Sequence, residues 1–285
     1  MPEAARYRKV DLHTHSTCSD GHFSPAELVD LAVEQSVSLF ALTDHDTLDG
    51  LPEARLRAAE HGLSFINGVE LSTQWNGIPL HMVALNFSAD NPALLSIVEG
   101  NQAIRLDRAR RIADLLVKQG LPDLFDEAVA LAGNSQLGRP HFASLLVEKC
   151  FVKDANKAFD RYLGNKKLGQ LRDVWPELEQ VLSALADEDM ALVLAHPKRY
   201  PLTVTKLKRL LSDFKKWGGT GIEIVSGNER PDSVRLLERL TREFDLKASV
   251  GSDYHGPFGP WMQVGKFTQI HEGEVDLVWQ TWSSI

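Results

Sequence analysis

The chain contains 285 residues, of which 43% are hydrophobic and 25% are charged, and its formal net charge is -8 at pH 7. This length fits one large α/β domain, or one domain with a modest insertion, and it is sufficient to bury a full core without disulfides or structural zinc. The composition excludes a disordered, collagen-like or coiled-coil chain, and no apolar run approaches the ~18 residues of a membrane helix. The acidic balance argues against binding along long duplex DNA.

The N-terminal residues and the cysteines indicate where the protein works. Residues 1–9 are polar and no apolar segment of a secretory signal follows them. Cys18 and Cys150 are the only cysteines, and we expect two free thiols rather than a bridge. We therefore expect a cytoplasmic protein, with no membrane contact and no obligate protein partner.

The first part of the sequence alternates short apolar runs with amphipathic segments. Residues 10–13 predict a short strand, and residues 39–43 predict a buried parallel strand. Between them, Ser24 is followed by Pro25 and, three positions after Ser24, by Glu27. This pattern predicts the N-terminus of a helix, because Ser caps free amides, Pro fits the first helical position and Glu completes a capping box.

The next segment predicts a helix and then a hairpin. Leu51–His61 has helical character and Gly62 follows as a C-terminal cap. Three strand-like runs come after it, at residues 63–69, 71–75 and 78–85. An Asn-Gly pair at residues 76–77 joins the last two runs, which is a strong hairpin pattern.

The remainder of the chain consists of an all-helical segment and a second series of strands. Between about residues 97 and 179 the pattern is helical, with helices predicted at 105–119, 138–149 and 155–163. Strands are then predicted at 191–195, 221–225 and 247–250, with helices at 205–217 and 233–244. Strands separated by helices pair in parallel through right-handed crossovers. About seven strands arranged in this way predict a barrel or a strongly wound sheet.

Charge is distributed unevenly along the chain. Residues 100–172 contain 13 lysine and arginine residues against eight aspartate and glutamate residues, whereas the rest contains 18 against 31. An acidic body with a basic insert suits a cation-loaded site that faces an anionic ligand. Chance variation among helical surfaces is the alternative interpretation.

Histidines and carboxylates are concentrated where the predicted strands end, and one further histidine, His81, lies in the return strand of the predicted hairpin. These nine residues are His13, His15, Asp20, His45, Glu70, His81, His196, Asp253 and His255. Because the C-terminal ends of parallel strands converge on one face of a barrel, its loops can bring all nine together. In an extended segment, residues two positions apart point the same way, so His13 and His15 can reach one ion. Imidazole and carboxylate ligands suit zinc, manganese or iron.

The number of candidate ligands exceeds what one ion can accept. Glu70 could bridge two ions, as carboxylates do in two-metal hydrolytic sites. Any single histidine is more commonly a core or surface residue than a ligand, so the interpretation depends on the whole set. The other histidines, His22, His61, His141 and His271, lack this context.

The order of the motifs resembles the PHP (polymerase and histidinol phosphatase) superfamily. The segments that carry the resemblance are DLHTHS at 11–16, SDG at 19–21, TDHD at 43–46, GVE at 68–70, His81, AHP at 195–197 and SDYH at 252–255. The helical insert is most similar to the branch of 3′,5′-nucleoside bisphosphate phosphatases and a related 5′-to-3′ exoribonuclease, which has a GRPH motif, here residues 138–141. The chain departs from this family pattern in one segment. Where members often have a short glycine-rich loop with an aromatic residue, residues 164–169 contain two lysines and no aromatic residue.

The resemblance implies an α/β fold, a distorted (βα)7 barrel with an all-helical insertion domain. Residues 1–98 would form the first part of the barrel, 99–178 the helical insertion that caps the substrate, and 179–285 the second part of the barrel.

The same resemblance implies two or three divalent ions. The implied ligand sets are His13, His15, Glu70 and Asp253 for the first ion, Glu70, His81 and His196 for the second, and Asp20, His45 and His255 for the third. Manganese is the expected metal, with iron or zinc as alternatives.

Three carboxylates are expected to serve catalysis. Glu70 would bridge two ions, between which a water loses its proton readily and attacks phosphorus in line. Asp44 and Asp46 would orient the imidazoles of the ligands. Capping of the following helix is an equal alternative for Asp46.

Basic residues of the insert are expected to bind the substrate. Arg139 and His141 would hold a second phosphate, since arginine offers a bidentate fork to phosphate oxygens. The alternative is that this segment only starts a helix, although a helix N-terminus also binds anions. Lys166 and Lys167 are further candidate phosphate contacts, and a solvated loop is the alternative for them.

The expected function is a metal-dependent phosphatase or phosphodiesterase acting on a small nucleotide or short RNA. It would release the 3′-phosphate of nucleoside 3′,5′-bisphosphates and shorten 5′-phosphorylated RNA in the 5′-to-3′ direction. A histidinol-phosphate phosphatase is one alternative, although so small a substrate needs no basic cap. A non-catalytic metal-binding module associated with a polymerase is another, and the complete ligand set argues against it.

Overall fold

The computed structural model describes residues 9–133, 135–164, 175–259, 262–268, 270 and 275–282. The chain divides into two compact units. Met1–Val98 and Pro176–Ile285 form one, called here the barrel unit, and Glu99–Trp175 form the other, called the helical unit. Within the described part of the chain, no helix has the length and apolar character needed to cross a membrane.

The barrel unit is built on a single seven-stranded sheet. Its strands are β1 (Val10–Asp11), β2 (Leu39–Leu42), β3 (Ser64–Trp75), β4 (Ile78–Leu85), β5 (Ala191–Leu194), β6 (Gly221–Ser226) and β7 (Lys247–Gly251). The strands pair in chain order, with β4 antiparallel to both of its neighbours and every other pair parallel. The Leu12 amide donates to the Val250 carbonyl at 3.1 Å, and the His15 amide donates to Tyr254 at 2.9 Å. These bonds nearly close the sheet, which confirms the predicted α/β barrel.

The β3–β4 hairpin differs from its prediction in one respect. Asn76 and Gly77 have φ values of 51° and 72°, as the predicted tight turn requires. However, β3 is one continuous strand, where two runs at 63–69 and 71–75 were predicted. Glu70 therefore lies inside β3, opposite Val83, and not at a strand end. It still reaches the end of the barrel, because β3 extends beyond the last residue of β2 and bridges to His45.

Two helices pack in the first part of the barrel unit, α1 (Pro25–Glu34) and α2 (Leu51–His61). The predicted capping box of α1 is present: the Glu27 amide donates to Ser24 Oγ at 3.3 Å, and the Ser24 amide donates to Glu27 Oε2 at 2.8 Å. Gly62 ends α2 with a left-handed φ of 64°. Both helix ends are confirmed because they depend on local interactions.

The helical unit has its own hydrophobic core. Its helices are most of α3 (Pro92–Lys118), which starts in the barrel unit, then α4 (Phe125–Ala132), α5 (Arg139–Glu148) and α6 (Ala155–Ala158), followed by a π-helical turn at Phe159–Leu163. Buried residues of this core include Ala109, Ile112, Leu116, Leu124, Phe142 and Leu146. Helix α3 begins 13 residues before the predicted start at residue 105. Asn91 explains this start, because its side chain caps the Leu94 amide at 2.9 Å.

The remaining helices of the barrel unit are α7 (Leu178–Leu185), α8 (Val204–Lys216) and α9 (Pro231–Glu243). Strands β2, β5 and β6 are buried along their whole length. Strands covered on both faces favour apolar side chains, so most of the neighbouring polar residues lie beyond the strand ends, at the rim of the barrel. The loops at that rim carry the candidate site.

Candidate metal centre

All nine predicted ligand residues lie together at one rim of the barrel unit. His13 and His15 follow β1, and their backbone is held against the chain after β7 by the Thr14–Tyr254 bridge. His45 follows β2 and pairs with Glu70 of β3. The residues that complete the set are Asp20, His81, His196, Asp253 and His255. We call these nine residues the metal centre.

The Glu70 carboxylate is the middle of the metal centre. Its Oε2 atom lies 3.1 Å from the Nε2 atoms of both His13 and His15, and 3.2 Å from His45 Nδ1. Its Oε1 atom lies 2.9 Å from His81 Nδ1 and 2.8 Å from His196 Nε2. The Glu70 side chain is 1% exposed, so five imidazoles surround one buried carboxylate.

Two further carboxylates complete the arrangement. Asp253 Oδ1 lies 3.5 Å from His13 Nε2 and 3.3 Å from His15 Nε2, and its side chain is buried. Asp20 is half exposed and lies 3.3 Å from His255 Nε2 and 3.8 Å from His15 Nδ1. The metal centre therefore extends from a fully buried carboxylate to one that solvent reaches.

Three groups in the metal centre have ligand atoms within 4.8 Å of one another. They are His13, His15, Glu70 and Asp253, then His45, Glu70 and His81, and finally His15, Asp20, His45 and His255. The first matches a predicted ligand set. The second contains His45 where His196 was expected, and the third adds His15. Because three residues belong to two groups each, the assignment of ligands to individual ions stays a prediction.

The polar atoms of the metal centre fit divalent cations. Several buried atoms have no hydrogen-bond partner among the described residues: His13 Nε2, His15 Nδ1 and Nε2, His81 Nδ1, Glu70 Oε2 and Asp253 Oδ1. A buried polar atom without a partner costs about 1–3 kcal/mol, so such a cluster requires compensation. A cation that accepts both imidazole nitrogen and carboxylate oxygen satisfies all of these atoms together.

The electrostatics keep the carboxylates ionised. Burial alone would raise the pKa of Glu70, but the imidazoles of His45 and His13 hold this pKa well below its usual range. Burial would likewise lower the pKa of His15, yet the nearby carboxylates of Asp253 and Glu70, 3.3 Å and 3.1 Å from its Nε2 atom, raise it to about 10. The charged carboxylates are thus available as ligands, and a bound cation would displace protons from the imidazoles.

Asp44 and Asp46 position neighbouring segments. Asp44 accepts hydrogen bonds from the Ser16 amide at 2.7 Å, the Ser16 hydroxyl at 2.6 Å and the Ser19 hydroxyl at 2.6 Å. Asp46 accepts from the Ser72 amide at 2.8 Å and the Ser72 hydroxyl at 2.7 Å. These contacts fix the segments next to Asp20 and Glu70. The alternative in which Asp46 caps the following helix is wrong, because α2 has Gly50 as its N-cap.

Three residues that contact the metal centre were not among the predicted site residues. Glu223 of β6 contacts His13 Nδ1 at 2.9 Å, Arg199 pairs with Asp253, and the Tyr200 hydroxyl accepts a hydrogen bond from the His81 amide at 2.8 Å. One signal was available for Glu223, since it interrupts the otherwise apolar run of β6. A carboxylate inside a buried strand is rare unless it is paired.

The predicted substrate residues that the structure describes lie in the helical unit. Arg139 Nη1 donates to the Leu163 carbonyl at 3.4 Å, and its guanidinium lies 5.8 Å from the Phe159 ring centroid. His141 caps α5, because its Nδ1 atom accepts the Gly138 amide at 3.1 Å. Burial lowers the pKa of His141, which favours the neutral ring. Lys166 and Lys167 lie outside the described residues.

Comparisons with known proteins agree with this geometry. The sequence profile of the PHP domain family matches residues 11–192. A 5′-3′ exoribonuclease of Haemophilus influenzae is 40% identical over 96% of this chain and 98% of its own length. A 3′,5′-nucleoside bisphosphate phosphatase of Chromobacterium violaceum is 38% identical over 90% of each chain.

Solved structures are similar as well. An amidohydrolase from Chromobacterium violaceum, with bound sulfate and no metal, has a TM-score of 0.81 at 35% identity and covers 96% of this chain and 95% of its own. A protein assigned as a metal-dependent phosphoesterase from Bifidobacterium adolescentis has a TM-score of 0.75 at 27% identity, over 90% and 91%. Similarity in sequence and in fold thus extends over nearly the whole chain, and the chain belongs to the PHP domain family.

Proposed function

We propose that this phosphoester hydrolase removes the 3′-phosphate of nucleoside 3′,5′-bisphosphates and leaves the nucleoside 5′-monophosphate. We further propose that it shortens 5′-phosphorylated RNA in the 5′-to-3′ direction. The observation that carries the proposal is the convergence of five imidazoles on the buried Glu70 carboxylate. The names of the relatives that match nearly the whole chain support the choice of substrate.

The metal centre would hold two or three divalent ions, with manganese as the proposed metal. The residues that would hold them are His13, His15, Asp20, His45, Glu70, His81, His196, Asp253 and His255. Bound divalent ions lower the pKa of water and neutralise charge on phosphoryl oxygens. Glu70 Oε2 faces His13, His15 and His45, whereas Oε1 faces His81 and His196. Glu70 is therefore the residue best placed to be shared between two ions.

Arg199 would bind the phosphoryl group at the same rim. Its side chain is half exposed, one guanidinium nitrogen pairs with Asp253, and Nη2 donates to Ser226 Oγ at 3.0 Å. These two contacts fix the plane of the guanidinium beside the metal centre. A fixed guanidinium offers charge-assisted hydrogen bonds to phosphate oxygens.

Residues of the helical unit would bind the second phosphate of the substrate. Arg139 supplies positive charge at the N-terminus of α5, where backbone amides also favour an anion. His141 would contribute through Nε2, which lies 3.2 Å from Ser135 Oγ, since its Nδ1 is engaged with Gly138. Lys166 and Lys167 stay proposed contacts of the same phosphate.

A requirement for two phosphates accounts for both activities. In a 3′,5′-bisphosphate, the reacting phosphate and the held phosphate are separated by one ribose. At the 5′ end of a phosphorylated RNA, the first internucleotide phosphate stands in the same relation to the terminal phosphate. One site therefore accepts both substrates and cleaves the ester on the 3′ side of the first nucleoside.

A comparison of four substrates with Mn²⁺ tests the proposal. Adenosine 3′,5′-bisphosphate and a short 5′-phosphorylated RNA should be hydrolysed with kcat/KM values far above those of adenosine 5′-monophosphate and histidinol phosphate. Preference for histidinol phosphate would favour the alternative phosphatase. Hydrolysis of none of the four would favour a binding module.

A further inference from the structure

Glu223 is a buried carboxylate that the proposed chemistry does not use. It is 2% exposed and lies in β6 between Ile222 and Ile224, which are fully buried. A carboxyl group is rare in such surroundings unless hydrogen-bond partners compensate for the loss of water. The partners of Glu223 therefore indicate its role.

Each oxygen of Glu223 contacts a different residue of the metal centre. Oε1 lies 2.9 Å from His13 Nδ1, and Oε2 accepts a hydrogen bond from the His196 amide at 2.7 Å. His13 is 210 positions away in the sequence and His196 is 27 positions away. One side chain thus connects two members of the metal centre that belong to different segments of the barrel unit.

The contact with His13 determines which ring nitrogen faces the metal centre. His13 Nε2 lies 3.1 Å from Glu70 Oε2, on the opposite side of the ring from Glu223. A carboxylate at Nδ1 accepts the proton there, which leaves the lone pair of a neutral ring at Nε2. The tautomer that can bind a cation at the metal centre is therefore the one that Glu223 selects.

The contact with His196 holds an unusual backbone conformation. His196 has φ 28° and ψ 56°, in the left-handed region that a residue other than glycine rarely adopts. Its side chain reaches Glu70 Oε1 from this conformation, at 2.8 Å. The pairing of β6 with β7 is also irregular directly after Glu223, between Glu223 and Val225. Such irregularities redirect side chains next to functional sites.

We infer that Glu223 is a positioning residue of the metal centre, which fixes the tautomer of His13 with one oxygen and the backbone of His196 with the other. The inference rests on the proposed metal-dependent function. It assigns to one carboxylate the task of keeping two ligands aligned before any cation binds.

Calorimetric titration of the metal-free E223Q variant with Mn²⁺ tests this inference. Glutamine has a single accepting oxygen. If that oxygen accepts from the His196 amide, the glutamine NH2 group can only donate to His13 Nδ1, which moves the ring proton of His13 to Nε2 and blocks that nitrogen as a ligand. The apparent affinity for Mn²⁺ should fall about 10- to 100-fold, while the circular dichroism spectrum stays that of the wild type. The D213N variant is the matched control, because Asp213 accepts a hydrogen bond from Trp75 Nε1 at 2.9 Å, and within the described ranges its side chain forms no hydrogen bond or ion pair with the metal centre. Its affinity should be unchanged.

Equal affinities of E223Q and the wild type would overturn the inference. Absence of Mn²⁺ binding by the wild type would instead reject the metal centre, and the role of Glu223 with it. A second measurement does not depend on how the variant folds. In the Zn²⁺-loaded wild type labelled with ¹⁵N-histidine, and assigned by comparison with H13Q, the ring of His13 should be protonated at Nδ1 and metal-bound at Nε2. Coordination through Nδ1, or a proton at Nε2, would overturn the inference.

Discussion

His196 Nε2 lies 2.8 Å from Glu70 Oε1, although 126 positions separate the two residues in the sequence. Glu70 belongs to the first segment of the barrel unit and His196 to the second, and the residues of the helical unit lie between them along the chain. The contact becomes possible because β4 pairs with both β3 and β5. The metal centre therefore forms only when both segments have joined one sheet.

The Glu70→Gln variant should be among the least active single substitutions. An amide in place of the carboxylate removes the negative charge that five imidazoles share, and it weakens any bridge between ions. Even residues that only support a ligand cost 10- to 100-fold when replaced, so we expect a loss of at least about 100-fold in kcat/KM. Hydrolysis of adenosine 3′,5′-bisphosphate and metal content by elemental analysis measure the two effects.

The control for this experiment is Glu60→Gln. Glu60 is exposed and pairs with Arg57 on the surface, at 2.7 Å. Surface ion pairs contribute little, so its activity and metal content should equal those of the wild type. Full activity of the Glu70→Gln variant would contradict the assignment of Glu70 as a metal ligand.

Removal of metal should lower the thermal stability. The unpartnered atoms of His15, Glu70 and Asp253 are compensated when cations bind, and a ligand present at 100 times its Kd stabilises the folded state by about 2.7 kcal/mol. The Tm should fall after treatment with a strong chelator and recover when Mn²⁺ is added, whereas Mg²⁺, which prefers oxygen ligands, should restore less. A Tm that is indifferent to chelation would mean that the imidazoles and carboxylates satisfy one another.

The Arg139→Ala variant should lose activity only on substrates with two phosphates. Loss of one charge-assisted contact costs about 1.5–3 kcal/mol, equivalent to a decrease of about 10- to 150-fold in kcat/KM for the bisphosphate. Hydrolysis of p-nitrophenyl phosphate, which has no second phosphate, should barely change. Arg161→Ala is the control, since Arg161 is exposed in the same unit and stacks on Tyr162 at 5.1 Å. Equal losses on both substrates would assign Arg139 to the packing of the helical unit.

The pH titration of His141 distinguishes its capping role from phosphate binding. Burial lowers the pKa of His141 below the ordinary histidine value of about 6.5, so between the lowered pKa and this value the unfolded chain binds a proton more readily than the folded chain. This group therefore makes the free energy of unfolding rise with pH up to about 6.5 and fall on acidification. NMR titration of the ring should show the lowered pKa, and saturation with adenosine 5′-monophosphate should raise it. A pKa that the nucleotide does not move would leave His141 as the cap of α5 alone.

Local signals in the sequence predicted much of the fold and most of the candidate site. Three predicted features depend on interactions within a few residues, and the structure contains all three. They are the capping box at Ser24, the helix C-cap at Gly62 and the Asn-Gly turn of the hairpin. The nine predicted ligand positions were also recognisable, because polar residues in or next to buried strands are conspicuous. They converge at one rim as expected, although Glu70 and His81 lie inside β3 and β4 and the others follow strand ends.

Features that depend on distant partners were not predictable in the same way. The residues of β3 divide into two runs by pattern, but pairing with the complete length of β4 makes them one strand and places Glu70 inside it. Glu223 interrupts an apolar run, but the sequence does not show that its partners are His13 and His196. The role of His141 as a phosphate ligand stays a prediction, and the hydrogen bond that its Nδ1 atom accepts from the Gly138 amide depends on the exact start of α5.

Anomalous diffraction tests the metal centre most directly. Crystals grown with Mn²⁺ would be measured on both sides of the manganese absorption edge. We predict two or three anomalous peaks within coordination distance of the nine residues, with the Glu70 carboxylate shared by two of them. Crystals of fully active protein with no anomalous peak at Glu70 would contradict the metal centre described here.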